Sequence, residues 1–129
     1  AGRQLCEAAV DMATQVGDQQ LISAALLAHA EVILDGGDAR GALQTALRAQ
    51  ASFAHFGQKE SEWHAWLLAA RASQRLRQHA AMREYASNAS VGLTSLEQEW
   101  GAEPYRGYLS RQDIQRSLKQ LGPLLKQQN

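Results

Sequence analysis

The side chains able to do chemistry are few and scattered. The histidines are His29, His55, His64 and His79. A helical metal site needs ligands three or four residues apart, and no two of these stand so. No HExxH, CxxC or EF-hand loop occurs, so the expectation is no metal and no cofactor. The single cysteine, Cys6, precludes an intrachain disulfide. It falls on an apolar stripe and reads as a small buried hydrophobe in a reducing cytosol. No GxSxG elbow, phosphate loop or dinucleotide fingerprint is present, and Gly36-Gly37 reads as a turn. Catalysis would require convergent titratable groups, which this pattern lacks. The expectation is a chain that is not an enzyme, with no catalytic residues.

The aromatic and basic residues suggest binding instead. Trp63 and Trp66 stand three apart with His64 between them, on one helical face. Trp66 is expected to fill the core, and Trp63 to be the exposed aromatic anchor. His29, on a mostly apolar face, is expected to be a partly buried structural residue. Arg71, Arg75, Arg77 and Arg83 form a local basic patch. Thirteen basic side chains balance thirteen acidic ones, which argues against a nucleic-acid partner and reads the patch as solvation or a protein contact. The longest apolar run, Leu21 to Leu34, is broken by Ser23, His29 and Glu31, so no membrane partner is expected.

Helices must position these residues. Alanine supplies 23 of 129 positions and leucine 17, whereas isoleucine and valine together supply seven. That balance favours helix over strand. Apolar residues recur three and four apart in six segments. The first, with Leu5, Ala9, Met12, Ala13 and Val16, closes at Gly17-Asp18. The second covers about 19–34 and the third about 39–55, joined by a turn in which Asp38 is the N-cap. The fourth covers about 59–77 and ends before a Gln78-His79 turn. The fifth covers about 80–100 and stops at Gly101. Residues 101–108, with Pro104, Tyr105 and Tyr108, read as a loop. A capping box at Ser110 and Asp113 should open a last helix, Arg111 to Leu121, stopped by Gly122-Pro123.

The chain also matches itself at an offset of forty. Gly17 pairs with Gly57, and Leu26 to Ala30 with Trp66 to Ala70. Ala42, Ala46 and Ala49 pair with Met82, Ala86 and Ala89. Such a period signals stacked helix pairs. In this respect the chain resembles the tetratricopeptide repeat family. Leu26, His29, Ala30, Ile33, Gly37-Asp38, Ala42 and Ala49 fit that family's pattern, and Trp66, Ala69, Ala70, Met82 and Ala89 repeat it. It departs where Arg77-Gln78 replaces Gly-Asp, in lacking a proline after the second helix, and in a spacing of forty against thirty-four. It is similar to the long-helix arrays of large bacterial signalling proteins, such as multidomain ATPase regulators and cyclase fusions.

The resemblance implies an all-α, right-handed solenoid of antiparallel helix pairs with a C-terminal capping helix. Residues 1–129 would form one domain. Residues 1–17 would be the second helix of a truncated repeat, 18–57 and 58–100 two repeats, and 101–129 a loop and cap. A first helix lacking its partner suggests a fragment of a larger, cytoplasmic protein. The implied function is a non-catalytic protein–protein interaction or regulatory module of a signalling protein. The alternative is a peptide or small-ligand sensor domain of a bacterial transcriptional regulator. The family's groove maps onto Glu31, Asp35, His64, Arg71, Gln74 and Arg75, with Leu27 and Leu67 beside them and Trp63 as the anchor. Its occupant would be a protein or peptide. The bare side of the first helix predicts a homodimer through that helix.

Overall fold

The computed structural model describes residues 2–16 and 19–126, with side chains for 2–12 and 21–126. The expected stop at Gly17-Asp18, and the stripe positions Ala13 and Val16, lie outside the described side chains. The described residues form seven helices: α1 (Gly2–Val16), α2 (Gln19–Asp35), α3 (Ala39–His55), α4 (Lys59–Arg75), α5 (His79–Trp100), α6 (Ala102–Leu109) and α7 (Gln112–Lys126). The fold is all-α.

Three consecutive turns are built alike, twenty residues apart. In the first, the Asp38 amide donates to the Ile33 carbonyl and the Gly37 amide to Leu34. In the second, Gln58 donates to Phe53 and Gly57 to Ala54. In the third, Gln78 donates to Ser73 and Arg77 to Gln74. Each is a Schellman ending that satisfies the last carbonyls of one helix. The residue that closes it is also the N-cap of the next helix. The ending needs a left-handed residue, supplied by Gly37 and Gly57 but by Arg77 in the third turn, at φ 60°. Asp38 adds a side-chain cap, accepting from the Gly41 amide at 2.9 Å.

Successive helices pack on one another from α1 through α5; α2 also meets α4, and α7 meets both α4 and α5. Alanines make the close approach possible. Ala30, Ala46, Ala49, Ala70, Ala86 and Ala89 are all fully buried, at positions paired by the offset of forty. The helix interfaces are filled differently at corresponding places. Between α2 and α3, the Ser23 and Ser52 hydroxyls hydrogen-bond. Forty residues on, between α4 and α5, Trp63 lies against Gly92, where a Cβ would stand 3.0 Å from the Trp63 Cβ.

The C-terminal third departs from expectation. Residues 102–109 are helical, not a loop. Pro104 falls in the first turn of α6, where no intrahelical N–H bond is lost. The helix α7 runs through Gly122-Pro123 to Lys126 instead of stopping there. Pro123 is exposed, while Leu121 and Leu124 on either side of it are buried. Those anchors hold the helix past its breaker. The expected capping box is absent. The Ser110 hydroxyl donates back to the Gly107 carbonyl at 2.7 Å. Asp113 pairs with Arg111 at 2.6 Å. The Leu76-Arg77-Gln78 turn also comes earlier than the expected Gln78-His79 turn.

Candidate functional site

The helices α2, α4 and α7 meet around one cleft. Leu27 and Glu31 come from α2, His64, Leu67, Leu68 and Arg71 from α4, and Ser117 and Gln120 from α7. Together they line a cleft of about 80 Å³. Residues 27 and 31, like 64, 67, 68 and 71, are separated by three or four positions or adjoin such a pair. Each set therefore presents one face of its helix.

Of the seven sequence-derived groove residues, Glu31, His64 and Arg71 line this cleft. Asp35 lies at its border, with a carboxylate oxygen 3.9 Å from an Arg71 guanidinium nitrogen. Arg75 is committed to the backbone, donating to the Leu34 carbonyl near the C-terminal end of α2. That placement sets a cation at the negative end of α2, on a carbonyl that also accepts from the Gly37 amide. Gln74 is half-buried on the same helix.

Trp63 corrects the expectation. It is 0% exposed and belongs to the core, whereas Trp66 is the half-buried one. The Trp66 ring stacks on Tyr85 at 5.6 Å. Gly92 lets α5 approach the Trp63 Cβ, where a side chain at 92 would stand 3.0 Å away, while the Trp66 ring meets Tyr85 of α5. A glycine inside a strongly helical stretch was the available signal.

Around Trp63 lies a polar knot that sequence reasoning missed. The Trp63 indole N–H donates to the Tyr108 hydroxyl at 2.9 Å. That hydroxyl lies 3.4 Å from His64 Nε2. The His64 and Trp63 rings stack at 3.9 Å. Trp100 meets the Tyr108 ring edge-on at 5.1 Å, and the Arg111 guanidinium sits 5.5 Å from its centroid. Burial pushes the His64 pKa down to about 4, against the opposing pull of Asp113, with Arg111 adding to the depression. Burial likewise raises the Tyr108 hydroxyl to about 12, partly offset by the Trp63 hydrogen bond. At neutral pH both groups are uncharged, so the phenol can accept from Trp63 and donate to His64. The knot ties α4 to the C-terminal helices and fixes the ring beside the cleft. No spacing rule links residues 63, 64 and 108; only the fold brings them together.

No protein-family model, curated protein or solved structure matches the chain.

Elsewhere, His29 is partly buried beside Glu7, 3.8 Å away, and Cys6 is half-exposed rather than buried. Among the described residues, no three His, Cys, Asp or Glu side chains are placed to hold a metal ion. Among them also, no helix is long and apolar enough to cross a membrane. A second, larger cleft of about 330 Å³ opens between α4 and α5, with Lys59, Glu62, Trp66, Asn88 and Val91 among its walls.

Proposed function

We propose that the chain is a tetratricopeptide-like, right-handed helix-pair solenoid serving as a non-catalytic interaction module of a larger cytoplasmic signalling protein. Its partner is a protein segment held on the face made by α2, α4 and α7. The supporting observation is the convergence of three helices on one cleft that mixes Leu27 and Leu67 with Glu31, Arg71 and Gln120. An apolar floor bordered by both charge signs suits an amphipathic peptide or helix. The cleft's volume of about 80 Å³ is well below the several hundred typical of small-molecule sites. The module also self-associates, through the exposed side of α1.

The second reading, a small-ligand sensor, is favoured by the cleft between α4 and α5. Its volume of about 330 Å³ reaches the small-molecule range, and Trp66 supplies an aromatic wall. A photo-crosslinking amino acid separates the two readings. Placed at Gln120 in the parent cell, it should capture a protein, and Arg71→Glu should abolish that capture with helicity intact. Crosslinking unaffected by Arg71→Glu and Glu31→Arg would refute the groove.

A further inference from the structure

The contact between α1 and α2 is the contact between α3 and α4 moved back by forty residues. Val10 of α1 packs in the cluster that contains Leu26. Its counterpart Gln50 reaches α4, donating to Glu62 at 2.9 Å. Gly2 faces Val32, and the counterparts Ala42 and Ala72 share one core cluster. So α1 stands to α2 as α3 stands to α4, and its other side can be read from the same correspondence.

Position 12 of α1 corresponds to Ser52 and Gly92, and position 5 to Thr45 and Tyr85. In the later helices those positions meet the helix that comes before. Ser52 bonds to Ser23 of α2. Gly92 abuts Trp63, and Tyr85 stacks on Trp66, both of α4. Position 9 corresponds to Ala49 and Ala89, both fully buried. On α1 the same face is open: Leu5 is 72% exposed, Met12 is 67% exposed, and Ala8 and Ala9 are exposed between them. By the chain's own pattern, this is a helix-binding face.

The pattern on that face is a palindrome. Reading Leu5, Ala8, Ala9, Met12 gives large, small, small, large, symmetric about the point between residues 8 and 9. An antiparallel copy of the same helix places Leu5 against Met12 of the second copy. The two alanine pairs then lie at the crossing, where small side chains allow helix axes to approach within about 8–10 Å. The last described helix, α7, presents a different surface: Gln115, Arg116 and Lys119 are exposed and polar, with Leu125 the one large apolar side chain exposed beside them.

We infer that the occupant of this face is α1 of a second copy, packed antiparallel across a two-fold axis that passes between Ala8 and Ala9. This geometry rests on the reading that α1 carries the self-association. It makes the contact isologous and closed, so assembly stops at a dimer. The dimer carries two partner grooves, one on each copy.

Sedimentation equilibrium and oxidative crosslinking test the two layers separately. In a Cys6→Ala background, Ala9→Cys should crosslink to itself, since the two positions lie about 1.5 Å apart along the axis. Leu5→Cys alone should not, because the two copies of that position lie about 10 Å apart along the axis, beyond disulfide reach. Leu5→Cys mixed with Met12→Cys should form the mixed dimer. Leu5→Glu should weaken association about tenfold or more, since a buried Leu is replaced by a charge. Both positions are exposed in the single chain, so its circular dichroism should not change. A strict monomer at millimolar concentration overturns the self-association and this geometry with it. Concentration-dependent association with Leu5→Cys self-crosslinking, or with no crosslink through α1, overturns the antiparallel two-fold contact alone.

Discussion

Tyr108→Phe removes one oxygen from the knot and nothing else. The ring remains in its pocket, so no side-chain-sized cavity opens. What changes is the Trp63 indole N–H, which is fully buried and donates to that oxygen at 2.9 Å. His64 Nε2 also loses the hydroxyl 3.4 Å away. A buried donor left unsatisfied costs about 1–3 kcal/mol, more than the net worth of an ordinary hydrogen bond. For a domain of this length each kcal/mol corresponds to roughly 3–5 °C in Tm. The expected loss is therefore about 3–15 °C, read by calorimetry and by urea denaturation followed through circular dichroism. A double-mutant cycle with Trp63→Phe isolates the pair, and its coupling should reach about 1 kcal/mol, beyond the usual additivity error. Tyr108→Phe within about 0.5 kcal/mol of the parent would show that the knot is not holding the C-terminal helices.

The knot also implies a pH dependence. His64 titrates near 4 when folded and near 6.5 when unfolded, so between those values the unfolded chain binds the extra proton. Stability should then fall as pH is lowered from about 6.5 to 4, by about 2–3 kcal/mol from this residue, and His64→Gln should flatten the profile. Ala49→Leu should destabilise by about 1–3 kcal/mol in urea melts, because Ala49 is fully buried among Leu26, Phe53 and Ala65. Arg77→Gly should stabilise by about 0.5–1 kcal/mol, because Arg77 occupies the left-handed turn position that Gly37 and Gly57 hold elsewhere. An unchanged or lower melting midpoint for that variant would refute the turn assignment.

The helices were legible because each carries its apolar residues three and four apart, and the turns at Gly37 and Gly57 because glycine marks a left-handed position. The third turn was displaced because an arginine takes that conformation, which side-chain chemistry does not announce. The helix α6 was hidden by Pro104, which breaks a helix interior but is harmless in a first turn. The helix α7 was cut short for the converse reason, since a Pro at position 123 reads as a stop while buried Leu121 and Leu124 hold the segment in place. The cleft was half legible. Glu31, His64 and Arg71, positions named from the tetratricopeptide resemblance, line it together, but Ser117 and Gln120 arrive from α7, which that resemblance did not reach. Trp63 and Trp66 exchange places because the repeat correspondence puts Trp66 at a large-residue position, whereas the vacancy at Gly92 against the Trp63 Cβ lies on another helix.

That vacancy bears on how the chain finds its own order. Helices that resemble one another at an offset of forty could dock on the wrong neighbour during folding, α5 on α2 or α3 on α4 in the wrong register. With α5 on α2, Gly92 would face Ser23 and offer no hydroxyl for the hydrogen bond that Ser52 makes there. Shifted the other way, Ser52 would be driven into Trp63, which leaves only enough space for a hydrogen. The serine pair and the tryptophan–glycine pair thus act as two differently cut keys. Each mispaired arrangement loses a hydrogen bond or carries a collision, and the correct sequence of helices is the one in which both pairs fit.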